Sequence, residues 1–484
     1  MYGLIPLKVT NGIHSSSSRT PHKVAVRHGD RSVTYKQLTD NMRRVSQAAF
    51  TDIRFQGNVA IVGNNSIEYL EVLLGLGDIG VPVVTINPKW VAREVIECLK
   101  DCKARVLFID NDLYKEEYEQ HCDLIIIFGS KYEEWVKYYK PIEHYPDFKD
   151  SAIFNIVYSS GTTNKPKGML ISHRTRSMTS YLMPLDWNCM KEYDVMLSIA
   201  SFSNGGGSST AIATLNNGGT VVIATGINPR TIMRTIEQEK VTCMLVVPSI
   251  LRLILRDITS HRYDVSSLTS IVVGSTTFPP LLKGKAINFF GDIVYDLYAS
   301  TECGPITLLK PSQTKTHLAT VGRTVIGSTI KVINNGIECK PLEVGEIHAK
   351  TMTMFSGYTD INNAHAETQM IATGDLGYVD EENYLHFVGR ADDVIISGGT
   401  NIYPEEIENI INECPGVEES AVIGLADDNR GEIVAAFIVG TPIVDPIQYC
   451  RDNLTPYKIP KKIFYVDSIP RNSTGKILRR SLFL

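Results

Sequence analysis

This sequence lacks the features that mark several classes of protein. Its nine cysteines are scattered along 484 residues without a Cys-x-x-Cys pair, which argues against a zinc site or a disulfide framework. Lys plus Arg number 48 and Asp plus Glu 53, a net charge of −5, so the basic excess typical of nucleic-acid binding is absent. Apolar runs such as Leu124–Phe128 fall far short of the roughly 18 residues that span a bilayer. We therefore expect a cytoplasmic protein with no membrane span and no nucleic-acid partner.

The length and composition indicate a soluble protein with more than one domain. At roughly 100–200 residues per domain, the chain holds about three domain-sized units. Apolar residues make up 43 % and charged residues 21 %, an ordinary mix for a chain that folds around a core.

Alternating helical and apolar strand patterns over the first 300 residues predict an α/β fold with a parallel sheet covered on both faces. Thr34–Phe50 has the helical period, and short strands alternate with helices after it. The other predicted elements here are strands Val59–Val62, Val81–Ile86, Val106–Ile109, Asp194–Ile199, Thr220–Ile223, Cys243–Val247, Ser270–Val273 and Ile293–Tyr298, with helices Ile67–Ile79 and Ala92–Lys100.

The pattern changes in the last third of the chain. Short strands separated by turn residues predict antiparallel structure over Val321–Lys350. We expect a domain boundary at Arg390–Asp393, followed by a compact unit with a helix over Pro404–Glu413 and strands over Ser420–Gly424 and Ile433–Val439.

A polar loop after an apolar strand carries the strongest indication of ligand binding. Tyr158–Gly168 (YSSGTTNKPKG) follows the strand predicted over Ile153–Val157 and precedes a helix predicted from His173. Glycines let backbone N–H groups approach an anion, hydroxyl groups donate to phosphate oxygens, and lysines add positive charge. The spacing is not that of a P-loop, because Pro166 stands where the second glycine of that pattern belongs.

The loop resembles the phosphate loop of the adenylate-forming superfamily, which includes acyl-CoA synthetases, peptide-synthetase adenylation domains and luciferases. The usual form is Ser/Thr-Ser-Gly-Thr-Thr-Gly-x-Pro-Lys-Gly, and this chain departs from it at Asn164. Asparagine tolerates positive φ better than most residues, so the loop geometry is compatible with that change. Further matches, from Arg31–Tyr35 to the C-terminal end, follow in the family's order, and the chain is most similar to stand-alone acyl-CoA ligases.

Two acidic motifs are similar to the family's nucleotide-binding segments. Tyr298–Glu302 (YASTE) looks like Tyr-Gly-x-Thr-Glu, which implies that Glu302 holds Mg²⁺ beside the ATP phosphates and that Thr301 contacts the α-phosphate. Thr373–Asp375 (TGD) looks like the motif whose aspartate accepts both ribose hydroxyls of ATP.

Two further motifs resemble the family's hinge and thiol tunnel. Gly389–Asp393 (GRADD) is similar to the hinge, with Asp392 as the pivot and Arg390 as a contact of the ribose or the phosphates. The segment Ser397–Glu408 is similar to the one that lines the thiol tunnel in the second half-reaction, where Gly398–Gly399 would line the path.

The last motif resembles the segment that carries the family's catalytic lysine. Pro470–Arg480 (PRNSTGKILRR) implies that this residue is Lys476. Tyr457–Leu484 holds seven basic residues against one acidic residue, which suits polyanionic ligands such as ATP and CoA. The resemblance implies a large N-terminal domain, residues 1–389, of two α/β subdomains plus a distorted β-barrel. A small mobile α+β lid, residues 390–484, would follow it.

The resemblance also implies a residue-by-residue site. The implied catalytic residues are Lys476, Thr162 and Glu302. The implied ATP contacts are Ser159, Ser160, Gly161, Thr162, Thr163, Lys167, Gly274, Ser275, Asp296, Tyr298, Ala299, Thr301, Asp375, Arg390 and Lys476. The implied acyl-pocket residues are Phe202, Asn204, Gly205 and Ala299.

The acid substrate stays open at this point. Ser201–Gly207 (SFSNGGG) aligns with the acyl-pocket motif, and Asn204 stands where many members have histidine, so no histidine role is carried over. No aspartate stands where amino-acid-activating members bind the substrate amine, which disfavours an α-amino acid. We expect a fatty or an aryl carboxylate.

The resemblance implies an ATP- and Mg²⁺-dependent carboxylic acid–CoA ligase that forms an acyl-adenylate and then a thioester with CoA. The alternative is an acyl- or aryl-AMP ligase that loads a separate carrier protein. A nucleotide-binding relative without catalysis is disfavoured, because Glu302, Asp375, Arg390 and Lys476 are all present. Luciferase-type oxidation is a further alternative.

Overall fold

The structure, a computed structural model, describes residues 6–53, 58–159, 167–257, 263–359, 369–427, 430–472 and 475–482. Within these ranges no helix is both long and apolar enough to cross a membrane. The helices are α1 (Asn11–Arg19), α2 (Tyr35–Ala48), α3 (Ile67–Asp78), α4 (Ala92–Asp101), α5 (Ser130–Tyr138), α6 (His173–Trp187), α7 (Gly205–Asn216), α8 (Pro229–Glu239), α9 (Pro248–Asp257), α10 (Pro280–Phe290), α11 (Pro311–Thr314), α12 (Pro404–Glu413) and α13 (Pro446–Asn453).

The strands form four sheets. Those of the first two thirds are β1 (Val24–His28), β2 (Arg31–Thr34), β3 (Asn58–Val62), β4 (Val83–Ile86), β5 (Ala104–Ile109), β6 (Leu124–Ile127), β7 (Ile153–Ser159), β8 (Lys167–Ser172), β9 (Val195–Ser198), β10 (Thr220–Ile223), β11 (Cys243–Val246), β12 (Ser270–Val273), β13 (Val294–Ser300), β14 (Gly304–Leu309) and β15 (Arg323–Thr324). Those of the last third are β16 (Ser328–Asn334), β17 (Ile337–Glu338), β18 (Gly345–Thr351), β19 (Gly357–Tyr358), β20 (Ile371–Val379), β21 (Leu385–Arg390), β22 (Ile395–Ser397), β23 (Thr400–Ile402), β24 (Val417–Asp427), β25 (Gly431–Gly440) and β26 (Lys462–Tyr465).

Two sheets with parallel centres confirm the predicted α/β fold. The nine-stranded sheet has the order β15-β14-β13-β12-β11-β9-β10-β1-β2, and the seven-stranded sheet has the order β19-β8-β7-β4-β3-β5-β6. Strands β9 to β13 run parallel in the first sheet, and β3 to β7 run parallel in the second. One core cluster takes apolar side chains from both sheets and from α2, α3 and α7, so the two sheets share a buried interior.

The helix predicted over Thr34–Phe50 is confirmed as α2, and its first turn explains where it begins. The Thr34 hydroxyl accepts from the backbone N–H of Gln37, and the Gln37 side chain accepts from the backbone N–H of Thr34. This reciprocal cap satisfies N–H groups that a helix start leaves unpaired. The buried stripe that begins with Leu38 and Met42 then packs against α3.

The third sheet is antiparallel and stays open among the described strands, at the place where a distorted β-barrel was expected. Its antiparallel order β17-β16-β18-β20-β21 confirms the strands predicted after residue 318, but the described strands leave β17 and β21 as open edges.

The fourth sheet belongs to the C-terminal unit and has the order β23-β22-β25-β24, with β26 parallel to β25. Helix α12 matches the prediction for Pro404–Glu413, and its buried Ile407 and Ile411 join the core that covers this sheet. A short 3₁₀ turn over Ala391–Asp393 connects β21 to β22. The division of the chain at residue 390 stays a prediction.

Candidate active site

The site begins at the carboxyl ends of the parallel strands in the nine-stranded sheet. Val247 follows β11, Gly274 follows β12, and Thr301 follows β13, so these positions meet at one edge. Ligands of open α/β sheets bind at such edges, because the backbone turns away there and leaves a crevice. Several of the predicted site segments therefore lie at one edge of the sheet.

A group of hydrogen-bonded side chains that we call the aspartate cluster (Tyr298, Thr373, Asp375 and Arg390) brings two predicted motifs together. The Tyr298 Oη donates to Asp375 Oδ2 at 2.7 Å, and Arg390 Nη1 lies 2.7 Å from Asp375 Oδ1. Asp375 and Arg390 are cross-strand partners on β20 and β21. Each carboxylate oxygen accepts more than one hydrogen bond, so Asp375 keeps acceptor sites for a diol.

The electrostatics of the aspartate cluster keep its donors protonated. Burial, together with the Asp375 carboxylate, raises the pKa of Tyr298 well above its ordinary range. Burial alone would lower the pKa of Arg390, but the same carboxylate outweighs it, so the Arg390 pKa is raised. A neutral phenol and a charged guanidinium thus flank one carboxylate.

Glu302 lies four residues beyond Tyr298, in a second group of side chains with Tyr358 and Lys167. The resemblance implied roles for Glu302 and Lys167 but not for Tyr358. The Tyr358 Oη donates to Glu302 Oε1 at 3.3 Å, and Lys167 Nζ lies 5.9 Å from the centre of the Tyr358 ring. Burial, with the Glu302 carboxylate beside it, raises the pKa of Tyr358 to about 12. Tyr358 thus lies between Lys167 of the phosphate loop and Glu302, the predicted metal-binding carboxylate.

Most of the phosphate loop falls outside the described residues. This applies to Ser160, Gly161, Thr162 and Thr163, so their predicted roles stay predictions. The backbone of Ser159 ends β7 and is the cross-strand partner of Lys167, the exposed first residue of β8.

The acyl-pocket residues separate into two groups. A side-chain carbon added to half-buried Gly205 would lie 3.9 Å from Thr301 Cγ2, so the start of α7, capped by Asn204, adjoins the Thr-Glu motif. Ala299 is exposed on β13 of the same edge. Phe202 corrects the prediction: its ring is fully buried in the core and lies 5.6 Å from the ring of Tyr69, so it lines no open pocket.

Arg176 on α6 lies behind the start of α7. Its Nη1 donates to the Gly205 carbonyl at 3.4 Å and to the Ser209 hydroxyl, and its Nη2 donates to Asn155 Oδ1 at 3.2 Å. No carboxylate pairs with this buried side chain among the described residues, and its Nε has no hydrogen-bond partner there. Burial lowers the pKa of Arg176 to about 10, so it remains charged at neutral pH. A buried positive charge therefore stands behind the first turn of α7.

Three of the implied ATP contacts follow β12 or lie within β13, and their surroundings differ. Gly274 packs close to Leu297, and Ser275 is exposed with a φ of 74°, at the edge described above. Asp296 corrects the prediction: it is 3 % exposed and pairs with the buried Lys283 at 2.8 Å. Since side chains alternate along a strand, Asp296 points into the protein and cannot contact a nucleotide at the edge.

Lys476 lies in a turn that we call the lysine hairpin (Arg471–Asn472 and Gly475–Ile477). The Lys476 backbone N–H donates to Asn472 Oδ1 at 2.9 Å, and Arg471 pairs with Ile477 across the hairpin. A side-chain carbon on Gly475 would lie 3.8 Å from Val247 Cγ2 and 3.9 Å from Thr276 Cγ2. The hairpin therefore lies against the carboxyl ends of β11 and β12, beside Gly274–Ser275.

The hinge and tunnel residues lie elsewhere on the C-terminal unit. Asp392 is exposed in the 3₁₀ turn between β21 and β22. Gly398 and Gly399, with φ of 57° and 81°, form the two-residue turn between β22 and β23 that we call the glycine turn. A side-chain carbon on either glycine would have no neighbour within 4 Å among the described residues, so the glycine turn faces open space.

Family models match both parts of the chain. The AMP-binding enzyme model matches residues 13–359, and the AMP-binding enzyme C-terminal domain model matches residues 406–476. The chain belongs to the AMP-binding enzyme family. It is an AMP-forming carboxylic acid–CoA ligase that acts through an acyl-adenylate.

The similar proteins include two curated ligases and one solved structure. The chain is 30 % identical over 489 residues to the 2-succinylbenzoate–CoA ligase of Geobacillus sp. strain WCH70, covering 98 % of this chain and 97 % of that one. It is 28 % identical over 504 residues to the indoleacetate–CoA ligase of Aromatoleum aromaticum, covering 97 % and 96 %. The o-succinylbenzoate CoA synthetase of Bacillus subtilis, solved with its acyl-adenylate intermediate, superposes with a TM-score of 0.88 at 28 % identity and covers 99 % of this chain and 98 % of its own.

The structure adds site residues of this AMP-binding enzyme that sequence reasoning missed. Tyr358 carries no local motif, and it reaches Glu302 only because β19 pairs with β8. Arg176 had one usable signal, since it lies one helical turn after buried His173 and so falls on the inward face of α6. A charged residue on a buried helix face is unusual and could have been singled out for that reason.

Proposed function

We propose that the acid activated by this ligase is an aryl or arylalkanoic carboxylate rather than a fatty acid. The activity of the similar curated enzymes supports this, since they are named for 2-succinylbenzoate and indoleacetate. The names of these relatives carry the choice of acid, while the hydrogen bonds of the aspartate cluster and the contact of the lysine hairpin with Val247 and Thr276 support adenylate formation.

In the first half-reaction, the acid carboxylate attacks the α-phosphorus of ATP and pyrophosphate leaves, which yields an acyl-adenylate. We assign the ribose hydroxyls to Asp375, which Arg390 and Tyr298 orient. The developing negative charge on the phosphoryl oxygens is assigned to Lys476, Thr301 and the loop from Ser159 to Lys167. The hydrogen bonds around Asp375 and the position of the lysine hairpin support this assignment.

The acid carboxylate is assigned to the space between Thr301 and the first turn of α7. The helix start supplies partial positive charge, and the buried Arg176 adds a full charge behind it. Asn204 at the helix start offers an amide in place of the histidine found in many relatives. Both features favour an anionic group at this end of the pocket.

Glu302 fits a Mg²⁺ ion that is held mainly by ATP. No group of three acidic, histidine or cysteine side chains that could hold a metal ion occurs in the described part of the chain, so those residues offer no metal cage of their own. Mg²⁺ ordinarily takes one or two carboxylates together with substrate phosphates and water, and Glu302 supplies one carboxylate beside Lys167 and Tyr358. When bound, the ion would neutralise charge on the phosphate oxygens.

In the second half-reaction, the CoA thiol attacks the acyl carbonyl and AMP leaves. We assign the thiol path to the glycine turn, which the C-terminal unit would bring to the site by rotation at Asp392. The exposed position of both features supports this assignment. We also infer that the chain divides into residues 1–389 and a lid of residues 390–484. A cytoplasmic location is inferred from the nine free thiols.

The hinge assignment predicts a selective defect in Asp392→Pro. Proline is tolerated in the first turn of a helix and fixes φ near −65°, so the variant should fold but keep one orientation of the lid. One half-reaction should survive and the other fall. Normal rates in both half-reactions would argue against a hinge at this residue.

Exchange of radiolabelled pyrophosphate into ATP tests the proposed function. The panel should contain aryl acids, arylalkanoic acids, fatty acids of several lengths and α-amino acids. We expect exchange with aryl or arylalkanoic members, and exchange with fatty acids alone would contradict the proposal. Addition of CoA should then yield the thioester and AMP. Thioester formation on an acyl carrier protein, without activity on CoA, would show that the enzyme loads a carrier protein instead.

A further inference from the structure

An ionic network joins the lysine hairpin to the large N-terminal part of the chain, and no role assigned above uses it. Arg252 on α9 lies with its Nη1 3.1 Å from Glu419 Oε1 on β24. The same Glu419 oxygen accepts from Arg471 Nη2, and Arg471 Nη1 donates to the carbonyl oxygen of Gly475. Gly475 precedes Lys476 directly, so the network ends at the residue next to the lysine.

The network is more shielded from water than its neighbour. The side chains of Arg252, Glu419 and Arg471 are 22 %, 18 % and 23 % exposed. A neighbouring pair, Arg256–Glu418, joins the same helix and strand: Arg256 lies one helical turn after Arg252, and Glu418 directly precedes Glu419. Its charged atoms are 2.8 Å apart, but the two side chains are 60 % and 45 % exposed. Shielded charges attract each other more strongly than exposed ones, because solvent and salt screen them less.

The elements in the network hold the lysine hairpin against the carboxyl ends of β11 and β12, which we call the nucleotide edge. Helix α9 begins at Pro248, immediately after Val247, and Val247 is one of the two side chains that face Gly475. The ion pair with Arg252 therefore holds Glu419 near the nucleotide edge, against which the lysine hairpin also packs. On the other side, Arg471 ties Glu419 to the turn itself.

We propose that Arg252 and Glu419 are positioning residues that hold Lys476 at the nucleotide edge for adenylate formation, an inference that rests on the function proposed above. Glu419 and Arg471 lie on one side of the 3₁₀ turn at Asp392, and Arg252 lies on the other. Rotation of the lid therefore breaks the Arg252–Glu419 pair and leaves Glu419–Arg471 intact. Because the pair exists in one orientation only, its loss shifts the population of the lid away from that orientation.

Separate measurement of the two half-reactions tests this proposal in Glu419→Gln and Arg252→Gln. We expect pyrophosphate exchange to fall by about tenfold or more. Thioester formation from a pre-made acyl-adenylate should stay within about twofold of the wild type. The matched controls Glu418→Gln and Arg256→Gln remove the exposed pair and should change exchange by less than about threefold. The conservative Arg252→Lys should keep more exchange activity than Arg252→Gln. Equal loss in both half-reactions, or an equal loss in the controls, would overturn the proposal.

Hydrogen–deuterium exchange of the peptide that covers residues 475–482 gives a second measurement that needs no activity. We expect faster exchange of this peptide in Glu419→Gln than in the wild type, and no change in Glu418→Gln. If the wild type activated no acid in the panel, the proposed function would fail, while this measurement would still report whether Glu419 holds the hairpin. Unchanged exchange of the peptide in Glu419→Gln would overturn the positioning role by itself.

Discussion

Two turns of the C-terminal unit, the lysine hairpin and the glycine turn, have opposite surroundings. The lysine hairpin packs against Val247 and Thr276 and is tied down through Arg471. A side-chain carbon on either glycine of the glycine turn would have no neighbour within 4 Å among the described residues. Both turns belong to one small unit. The orientation of this unit that places the lysine hairpin at the nucleotide edge leaves the glycine turn facing open space. Under the roles proposed for the two turns, this arrangement suits adenylate formation, and thioester formation would require a different one.

The largest effect is expected from Lys476→Ala, which removes the side chain from the docked turn. Acyl-adenylate formation should fall about 100- to 1000-fold, because the variant loses the charge that we propose acts on the reacting phosphoryl group. Thioester formation from a pre-made acyl-adenylate should change little. The control Lys462→Ala removes a lysine from the same basic tail, on exposed β26, and should leave both rates near the wild type. Similar losses in the two half-reactions of Lys476→Ala would contradict the assignment.

Asp375→Ala changes neither the lysine hairpin nor the glycine turn, so it separates nucleotide binding from the roles of the two turns. It leaves Arg390 and Tyr298 without their shared acceptor and removes the carboxylate assigned to the ribose. We expect the KM for ATP to rise by about 10- to 100-fold, since a charged hydrogen-bond acceptor is lost. Since AMP stays bound through both steps, the second half-reaction should also slow. A defect limited to the second half-reaction would contradict the cluster's role in binding the nucleotide.

Gly398→Val addresses the exposed turn. At a φ of 57° a β-branched residue is strained by roughly 1–2 kcal/mol, and its side chain would project into the space assigned to the thiol. Thioester formation should fall by about tenfold or more, while pyrophosphate exchange is kept. The matched control is Gly336→Val, at a φ of 79° in the turn between β16 and β17, which also has a positive φ and an equally open surrounding. Equal effects of the two variants would show that strain alone is responsible.

The smallest effect is expected in the pH dependence of stability around α12, the helix that follows the glycine turn. Burial, opposed by the Arg479 guanidinium, raises the pKa of Glu405 to about 7 from an ordinary value near 4.5. The folded state therefore binds a proton that the unfolded state has released, so this group's contribution to stability is lost as the pH rises from about 4.5 through 7. The thermal midpoint of Glu405→Gln should gain on that of the wild type as the pH rises from 5 to 8. A constant difference would contradict the raised pKa.

The elements that sequence predicted best are those whose signal is local. The strands Thr220–Ile223 and Ser270–Val273 and the helix Pro404–Glu413 have the predicted bounds. A short apolar run between turn residues reports a buried strand by itself, and a proline followed by acidic residues reports a helix start. The motif matches were sufficient to predict the family and the reaction class. The phosphate loop and the later motifs each combine residue types that rarely occur together in this order.

The features that sequence missed depend on contacts between distant segments. Asp296 was an implied ATP contact, but it turns toward Lys283, because side chains alternate along β13 and this one points inward. The Phe202 ring points into the core and packs against Tyr69, a residue 133 positions earlier in the chain. The resemblance implied a distorted β-barrel, and the third sheet has an open antiparallel order among the described strands. Arg252 and Glu419 are 167 positions apart, and no local pattern links them.

The central claim is that the lysine hairpin and the glycine turn serve different half-reactions of one ligase. The most direct test is the ratio of acyl-adenylate formation to thioester formation, measured by rapid quench in Lys476→Ala and Gly398→Val under identical conditions. The ratio should fall at least about tenfold in Lys476→Ala and rise at least about tenfold in Gly398→Val, relative to the wild type. A ratio that moves in the same direction in both variants, or in neither, would contradict the claim.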